Sequence, residues 1–184
     1  MEFIETELKG AYCIKSFYAG DKRGSFIKSF EKEIYRKAGI QFSVQEVFYT
    51  LSAKNVIRGF HFQKHNPQAK LVSVVTGKVW DVIIDLRPGS ATYKKWSSLE
   101  LSPDNHMSCY IPKGFAHGFL SMEDNTTMLY LCDGAYDKNT DGGIKIDDKE
   151  LDVRWPINFS EALISERDLQ LEDFKTYERS PMEL

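Results

Sequence analysis

The chain has 184 residues, within the usual range of one domain, and its acids and bases nearly balance to a formal charge of -3. Lys and Arg are scattered rather than gathered into a block that could track a phosphate backbone, which argues against nucleic acid as a partner. No stretch approaches the roughly 20 apolar residues of a membrane helix, and Met1-Glu2-Phe3-Ile4-Glu5 lacks the basic and apolar segments of a signal peptide, so the expectation is a cytoplasmic protein with no membrane partner.

In chain order, the first periodic pattern is a short helix, Glu31 to Ala38, charged on both sides. From about residue 42 to residue 136 the chain is a series of short runs rich in Val, Ile, Phe, Tyr and Thr. Turn signals break it at Ser52-Ala53-Lys54-Asn55, Thr76-Gly77, Pro88-Gly89, Ser102-Pro103-Asp104-Asn105 and Glu123-Asp124-Asn125. That spacing predicts an all-β sandwich or barrel with peripheral helices. From Gly142 onward charge mixes with Trp155, Pro156 and Phe159, which predicts a tail packed against the barrel and a single domain over residues 1–184. After Ser160 a second short helical pattern follows, in which Ser165 and Asp168 resemble a capping box. The three cysteines, Cys13, Cys109 and Cys132, are odd in number and widely spaced, so core packing is expected of them and neither a disulfide framework nor a thiolate metal site.

Two clusters could carry chemistry. One is Arg58-Gly59-Phe60-His61-Phe62-Gln63 followed by Pro67-Gln68-Ala69-Lys70, and the other is Ile111 to Phe119. Strand alternation places His61 and Gln63 on one face and Phe60 and Phe62 on the other. Taken alone, such a polar pair is also what a solvent-facing strand shows. The clusters resemble the two motifs of the cupin barrel, a double-stranded β-helix or jelly roll. The second motif is matched by Pro112-Lys113-Gly114-Phe115-Ala116-His117. In the first, His61 is kept, but Gln63 stands at the second histidine position and Lys70 at the glutamate position, seven before Gly77. An ammonium cannot ligate a divalent cation and repels one, so no metal and no other cofactor is expected. A cationic donor facing a histidine suits instead a site where a base removes a carbon-bound proton and charge develops on the adjacent carbonyl oxygen.

Further blocks extend the likeness. Asp21-Lys22-Arg23-Gly24-Ser25-Phe26, Val56 to Gln63, Pro67 to Val72, Gly77 to Val82, Ile84-Asp85-Leu86-Arg87, Ile111 to Phe119 and Ser165-Glu166-Arg167-Asp168 together resemble the dTDP-4-dehydrorhamnose 3,5-epimerase family, in family order over nearly the whole chain. The resemblance implies an isomerase of deoxysugar biosynthesis, epimerising a nucleoside-diphosphate-linked 4-keto-6-deoxy hexose at C3, C5 or both. It implies His61 as general base oriented by Asp168, Lys70 as the enolate's partner, and Tyr130 as the acid that returns the proton on the other face. Alternation turns Tyr130 away from Leu129 and Leu131, although a tyrosine that merely packs is the competing reading. Tyr136 matches a residue that stacks on the nucleotide base. Arg23, Arg58 and His117 match groups holding phosphate or sugar oxygens, and Asp141 and Arg167 fall near substrate contacts, where solvated surface charge is an equal alternative. Strict alternation turns Arg58 away from His61, so a bulge at Gly59, or a reach across the strand end, is needed to bring both to one site. Barrels of the family that the chain resembles pair through strands shared between subunits, so the resemblance also implies a homodimer.

The chain also departs from the family pattern. Lys28 stands where the family has a glutamate that contacts the base, and the segment starting at Gln45 replaces one containing Asn and His near the nucleotide. Gln45, Lys28 and Gln63 are candidate substrate contacts on this reasoning, and the base is left open between thymidine, cytidine and guanosine, with dTDP- or CDP-linked sugars as the partner. Leu131-Cys132-Asp133-Gly134-Ala135 differs as well, which leaves open which carbon is inverted. Rival readings of the same barrel are a sugar-nucleotide 3,4-ketoisomerase, which carries a His-x-His pair where this chain has His61-x-Gln63, and a non-catalytic sugar-nucleotide binding barrel. A metal-dependent cupin dioxygenase requires ligands that Gln63 and Lys70 do not provide.

Overall fold

The computed structural model describes residues 1–184. Thirteen strands run β1 (Glu2–Glu5), β2 (Tyr12–Lys15), β3 (Phe17–Asp21), β4 (Gly24–Lys28), β5 (Glu46–Ser52), β6 (Ile57–Gln63), β7 (Lys70–Thr76), β8 (Val79–Asp85), β9 (Trp96–Leu101), β10 (Met107–Ile111), β11 (Phe115–Ser121), β12 (Thr126–Cys132) and β13 (Asp141–Gly143). They form a six-stranded sheet in the order β1-β2-β10-β7-β12-β5, a five-stranded sheet in the order β13-β6-β11-β8-β9, and the separate hairpin β3-β4. All pairings within the sheets are antiparallel. The result is the cupin-type jelly roll that the motifs imply. Every turn signal read from the sequence falls between strands, and Asn55, Gly77, Gly89 and Asn125 take the positive φ that such turns use.

Alternation explains which side chains meet between the sheets. Along β8, Val79 and Ile83 face the interior with Val72, Val74, Phe115, Phe119 and Met128, whereas Val82 and Ile84 face outward. Strand β8 is therefore buried on both faces, because its outer face is covered too. The cover is the tail: Ile144, Ile146, Leu151, Trp155, Phe174, Tyr177 and Met182 form a second core with Phe60 and Phe62 of β6. Trp155 anchors it, stacking on Phe60 at 5.5 Å, meeting Trp80 edge-on at 5.3 Å and donating from Nε1 to the Ile146 carbonyl at 2.9 Å. Trp155→Ala should cost about 3–5 kcal/mol, the usual figure for a large aromatic removed from a core, with denaturant unfolding as the measurement. A loss below about 1 kcal/mol would show that the tail is not part of the cooperative unit.

Helix α1 (Lys32–Lys37) lies within the stretch expected to be helical and buries Tyr35 against Ile14, Phe42, Leu71 and Tyr110 on the outer face of the six-stranded sheet. The remaining short helices, α2 (Glu166–Leu169) and α3 (Phe174–Tyr177), belong to the tail. Ser165 caps α2 by accepting from the Asp168 N–H, but the reciprocal half of the capping box is absent because the Asp168 carboxylate turns elsewhere. Strands β1 to β4 lie before the stretch whose runs read as strands. Every residue of β3 and all but the last of β4 are exposed, so no buried face leaves a periodic signature there. All three cysteines are buried and unlinked, although Cys13 and Cys109 sit opposite each other on β2 and β10. No helix is long and apolar enough to cross a membrane.

Candidate active site

A cavity of about 350 Å³ opens between the two sheets, a volume suited to a small-molecule ligand. His61 and His117 reach it from the five-stranded sheet, and Lys70 and Tyr130 from the six-stranded one. His61 and His117 are direct cross-strand partners on β6 and β11. His61 places Nε2 2.8 Å from Asp168 Oδ1, and the other carboxylate oxygen accepts the Gly59 N–H at 3.3 Å. Asp168 is almost fully buried at the start of the tail helix α2. Burial pushes its carboxyl up, but the His61 contact, the Gly59 N–H and Arg167 together hold it below the ordinary carboxylate range. The tail reaches this point because backbone bonds tie Leu163 to Asn55 and Ile57, and Ile144 to Phe60, along the edge of β6.

The bulge needed to bring Arg58 and His61 together is present. His117 pairs with His61 but Phe119 pairs with Arg58, so β6 carries one residue more than β11 between the two pairs. Gly59 provides it, with φ +138° and with its backbone so close to β11 that a Cβ would stand 2.6 Å from the Gly118 Cα. Only glycine fits both the conformation and the space. Arg58 thereby faces the cavity, steadied by Ser52 Oγ at 3.2 Å. Like Lys70, it forms no ion pair. Burial pushes the Lys70 ammonium below its ordinary value, and Cys132, Asp141, Asp81 and Glu46 pull it back toward the charged form.

Tyr130 is buried, and β12 turns it inward with Met128 and Cys132 while Leu129 and Leu131 face out. Burial, with Asp81 nearby, pushes its phenol well above the ordinary value, against the opposing pull of Thr50 and Arg58. His117 is held by Asp81, Nε2 to Oδ1 at 2.6 Å, both groups buried beneath the cavity. At the rim, Asp141 Oδ2 accepts from the Tyr136 hydroxyl at 3.0 Å and from Arg167 Nη2 at 2.7 Å, which draws these three residues into one cluster.

Four candidate substrate contacts are placed differently. Lys28 pairs with Glu31 at 2.7 Å, and Arg23 at the tip of the exposed hairpin pairs with Asp21; neither borders the cavity of its own chain. Gln45 precedes β5 and donates to the Asp133 carbonyl, so its neighbour Glu46 is the residue that faces inward. Gln63 does border the cavity, but its amide is engaged: it donates to the carbonyls of Asn66 and Ala135 and accepts the Asp137 N–H, pinning two loops. With that amide occupied and an ammonium at Lys70, the donor set does not suit a divalent cation, and no three His, Cys, Asp or Glu side chains converge. Glu46, Phe48 and Thr50, in the segment that begins at Gln45, and Gln68 of the first cluster also line the cavity, and Asp81 lies below it; the sequence motifs imply no individual role for any of them. The available signal is parity. Glu46, Phe48 and Thr50 alternate along one face of β5, and Asp81 shares inward parity with Val79 and Ile83.

A jelly roll that sets titratable side chains of both sheets around one small-molecule cavity has the groups that acid–base chemistry on a bound ligand requires. Residues 5–176 match the family model described as dTDP-4-dehydrorhamnose 3,5-epimerase. A relative of that description from Methanothermobacter thermautotrophicus is 38% identical over 167 residues, 90% of each chain. Among solved structures, the dTDP-6-deoxy-D-glucose-3,5-epimerase of Legionella pneumophila in complex with dTDP-4-keto-L-rhamnose superposes with a TM-score of 0.93 at 32% identity, over 100% of this chain and 98% of that one. A 3'-monoepimerase from Streptomyces bikiniensis in complex with dTDP-quinovose superposes with a TM-score of 0.88 at 30% identity, over 95% and 88%. The chain belongs to the dTDP-4-dehydrorhamnose 3,5-epimerase family. It is an isomerase of deoxysugar biosynthesis, acting at C3, C5 or both of a nucleotide-linked 4-keto-6-deoxy sugar.

Proposed function

We propose that His61 is the base, Asp168 its orienting carboxylate, Lys70 the enolate's partner and Tyr130 the acid. The observation that carries this reading is the division of groups between the sheets. The histidine–carboxylate pair stands on one wall and the phenol on the facing wall, so a proton can leave one face of the sugar ring and return to the other. The Asp168 carboxylate accepts a hydrogen bond from the Nε2–H and thereby leaves the other ring nitrogen free to abstract. As the proton departs, the C4 ketone becomes an enolate whose oxygen is met by the Lys70 ammonium. The enolate electron pair then forms a C–H bond with the phenol proton, the ketone is restored, and the phenolate recovers a proton from solvent while the imidazolium gives up the one it abstracted. Arg58, free of any carboxylate, is the candidate for a phosphate oxygen, and Tyr136 at the rim is the candidate for stacking on the base.

The nucleotide in this reading is thymidine diphosphate, the form held by the Legionella and Streptomyces relatives. The cavity and the tail act as one unit over residues 1–184, since the proposed dyad has one member in each. We assign the chemistry to the cytoplasm, where the buried thiols of Cys13 and Cys109 remain reduced. Two copies pair in this reading. The exposed Phe17, Tyr18, Phe26 and Ile27 of the hairpin and Val47, Tyr49 and Leu51 on the bare outer face of β5 form an apolar surface that a second copy would cover. Pairing would also carry Arg23 and Lys28 away from their own cavity toward that of the second copy.

Incubation with dTDP-, CDP- and GDP-linked 4-keto-6-deoxy sugars in deuterated water, read by NMR, tests the reading. Label at C3 and C5 with the dTDP sugar is the expected result, label at C3 alone marks a 3-epimerase, and faster exchange with CDP or GDP sugars would overturn the choice of base. Light scattering of the eluting protein tests pairing, with a mass near 42 kDa expected, about twice that of the 21.2 kDa chain.

A further inference from the structure

We infer that Phe48 is a positioning residue for epimerisation: it holds the Tyr130 phenol at the angle from which its proton reaches the sugar carbon, through ring stacking rather than a hydrogen bond. The inference rests on the reading of Tyr130 as the acid. Phe48 and Tyr130 are directly opposite on the antiparallel strands β5 and β12, and both side chains face the cavity. Their rings lie 4.6 Å apart and within 11° of parallel. The His117 ring meets Tyr130 from another direction, edge-on at 5.9 Å and 69°. The phenol is thus held by a face and an edge at once.

A tyrosine side chain turns about two bonds: a small rotation about the first swings the distant hydroxyl far, and rotation about the second turns the ring plane and with it the direction of the O–H bond. Parallel stacking restrains both torsions, and aromatic pairs of this kind are attractive beyond the area they bury. Proton delivery needs that restraint more than binding does, since misplacing a reacting group by about 1 Å can cost on the order of 10²-fold in rate. Base-side chemistry does not pass through this contact. His61 stands on the facing sheet and takes its orientation from Asp168, so a loosened phenol leaves abstraction intact. The expected signature is a split between two readouts that a general structural defect would lower together. Exchange of the abstracted proton with solvent continues, while return on the opposite face fails.

The test compares Phe48→Leu, Phe48→Tyr and Tyr130→Phe with the unsubstituted chain, using dTDP-4-keto-6-deoxyglucose in deuterated water. Deuterium incorporation with retention and net inversion are followed separately by NMR. Phe48→Leu should lower the ratio of inversion to exchange by about tenfold or more, and Phe48→Tyr, which keeps a ring to stack, should hold it within about twofold. A parallel fall of both readouts in Phe48→Leu, or an unchanged ratio, overturns the role of Phe48. Tyr130→Phe keeps the stack and loses the proton. If it retains the ratio of the unsubstituted chain, the assignment of Tyr130 fails and this inference fails with it. If it loses the ratio while Phe48→Leu does not, only Phe48 is misassigned.

Discussion

His61→Ala is expected to lower solvent exchange beside the ketone by about 10² to 10⁴-fold, while KM for the nucleotide sugar stays within about threefold. The split follows from where the imidazole sits. It stands in the wall of the cavity at 28% side-chain exposure, bound on one side to a nearly fully buried carboxylate. Removing it takes away the proton acceptor and leaves Arg58 and the rim free to bind. Asp168→Asn should act on the same parameter, kcat, with a smaller loss, because an amide can present its N–H to the ring and favour the wrong tautomer. Both effects are read by single-turnover exchange at saturating substrate. Exchange in His61→Ala within about threefold of the unsubstituted chain would remove His61 from the role of base.

Lys70→Met should lower kcat by about 10² to 10³-fold, the usual scale for losing one donor to a developing oxyanion. The methionine keeps the length of the side chain and removes the charge. Titration adds a separate signature. Burial lowers the ammonium's pKa, so Lys70 loses its proton at a lower pH than an ordinary lysine. In the proposed mechanism the active form is the protonated one, so kcat is expected to be complete below that pKa and to fall as pH rises through it. Tyr130 does not compete in this window, because burial pushes its phenol upward and keeps it protonated there. An alkaline limb below about pH 10.4 is expected in the unsubstituted chain, and Lys70→Arg, whose guanidinium stays charged, should remove it. The same limb in Lys70→Arg would assign it to another group.

Much of this site is legible in the order of the amino acids, and the reasons are local. His61, Lys70 and His117 lie in motifs whose turns and glycines dictate their surroundings, and alternation on β12 is enough to turn Tyr130 inward. Parity demands either a bulge at Gly59 or a reach across the strand end for Arg58 and His61 to share a cavity, and the register of β6 against β11 shows the bulge. What alternation reveals, however, depends on a contrast between two faces. The hairpin β3-β4 has exposed residues on both, so Arg23 and Lys28 carry no sign of their placement. Gln63 and Gln45 mislead for another reason. A side-chain amide can hold a loop as readily as a ligand, and only the partners Asp137, Asn66 and Asp133 decide which. Asp81 is visible as an acid in the middle of a largely apolar strand, but its partner His117 lies 36 residues away.

The tail that covers β6 also orders events in time. Every strand of both large sheets except β13 is complete by Cys132, so a chain emerging from synthesis could close its barrel and present His61 to the cavity well before Asp168 exists. Until α2 seats, the imidazole lacks the acceptor that fixes its tautomer. In the proposed mechanism competence for catalysis therefore depends on the same docking step that buries Trp155 and Phe174, and a nick between β13 and α2 would cut the covalent tie that brings Asp168 to His61.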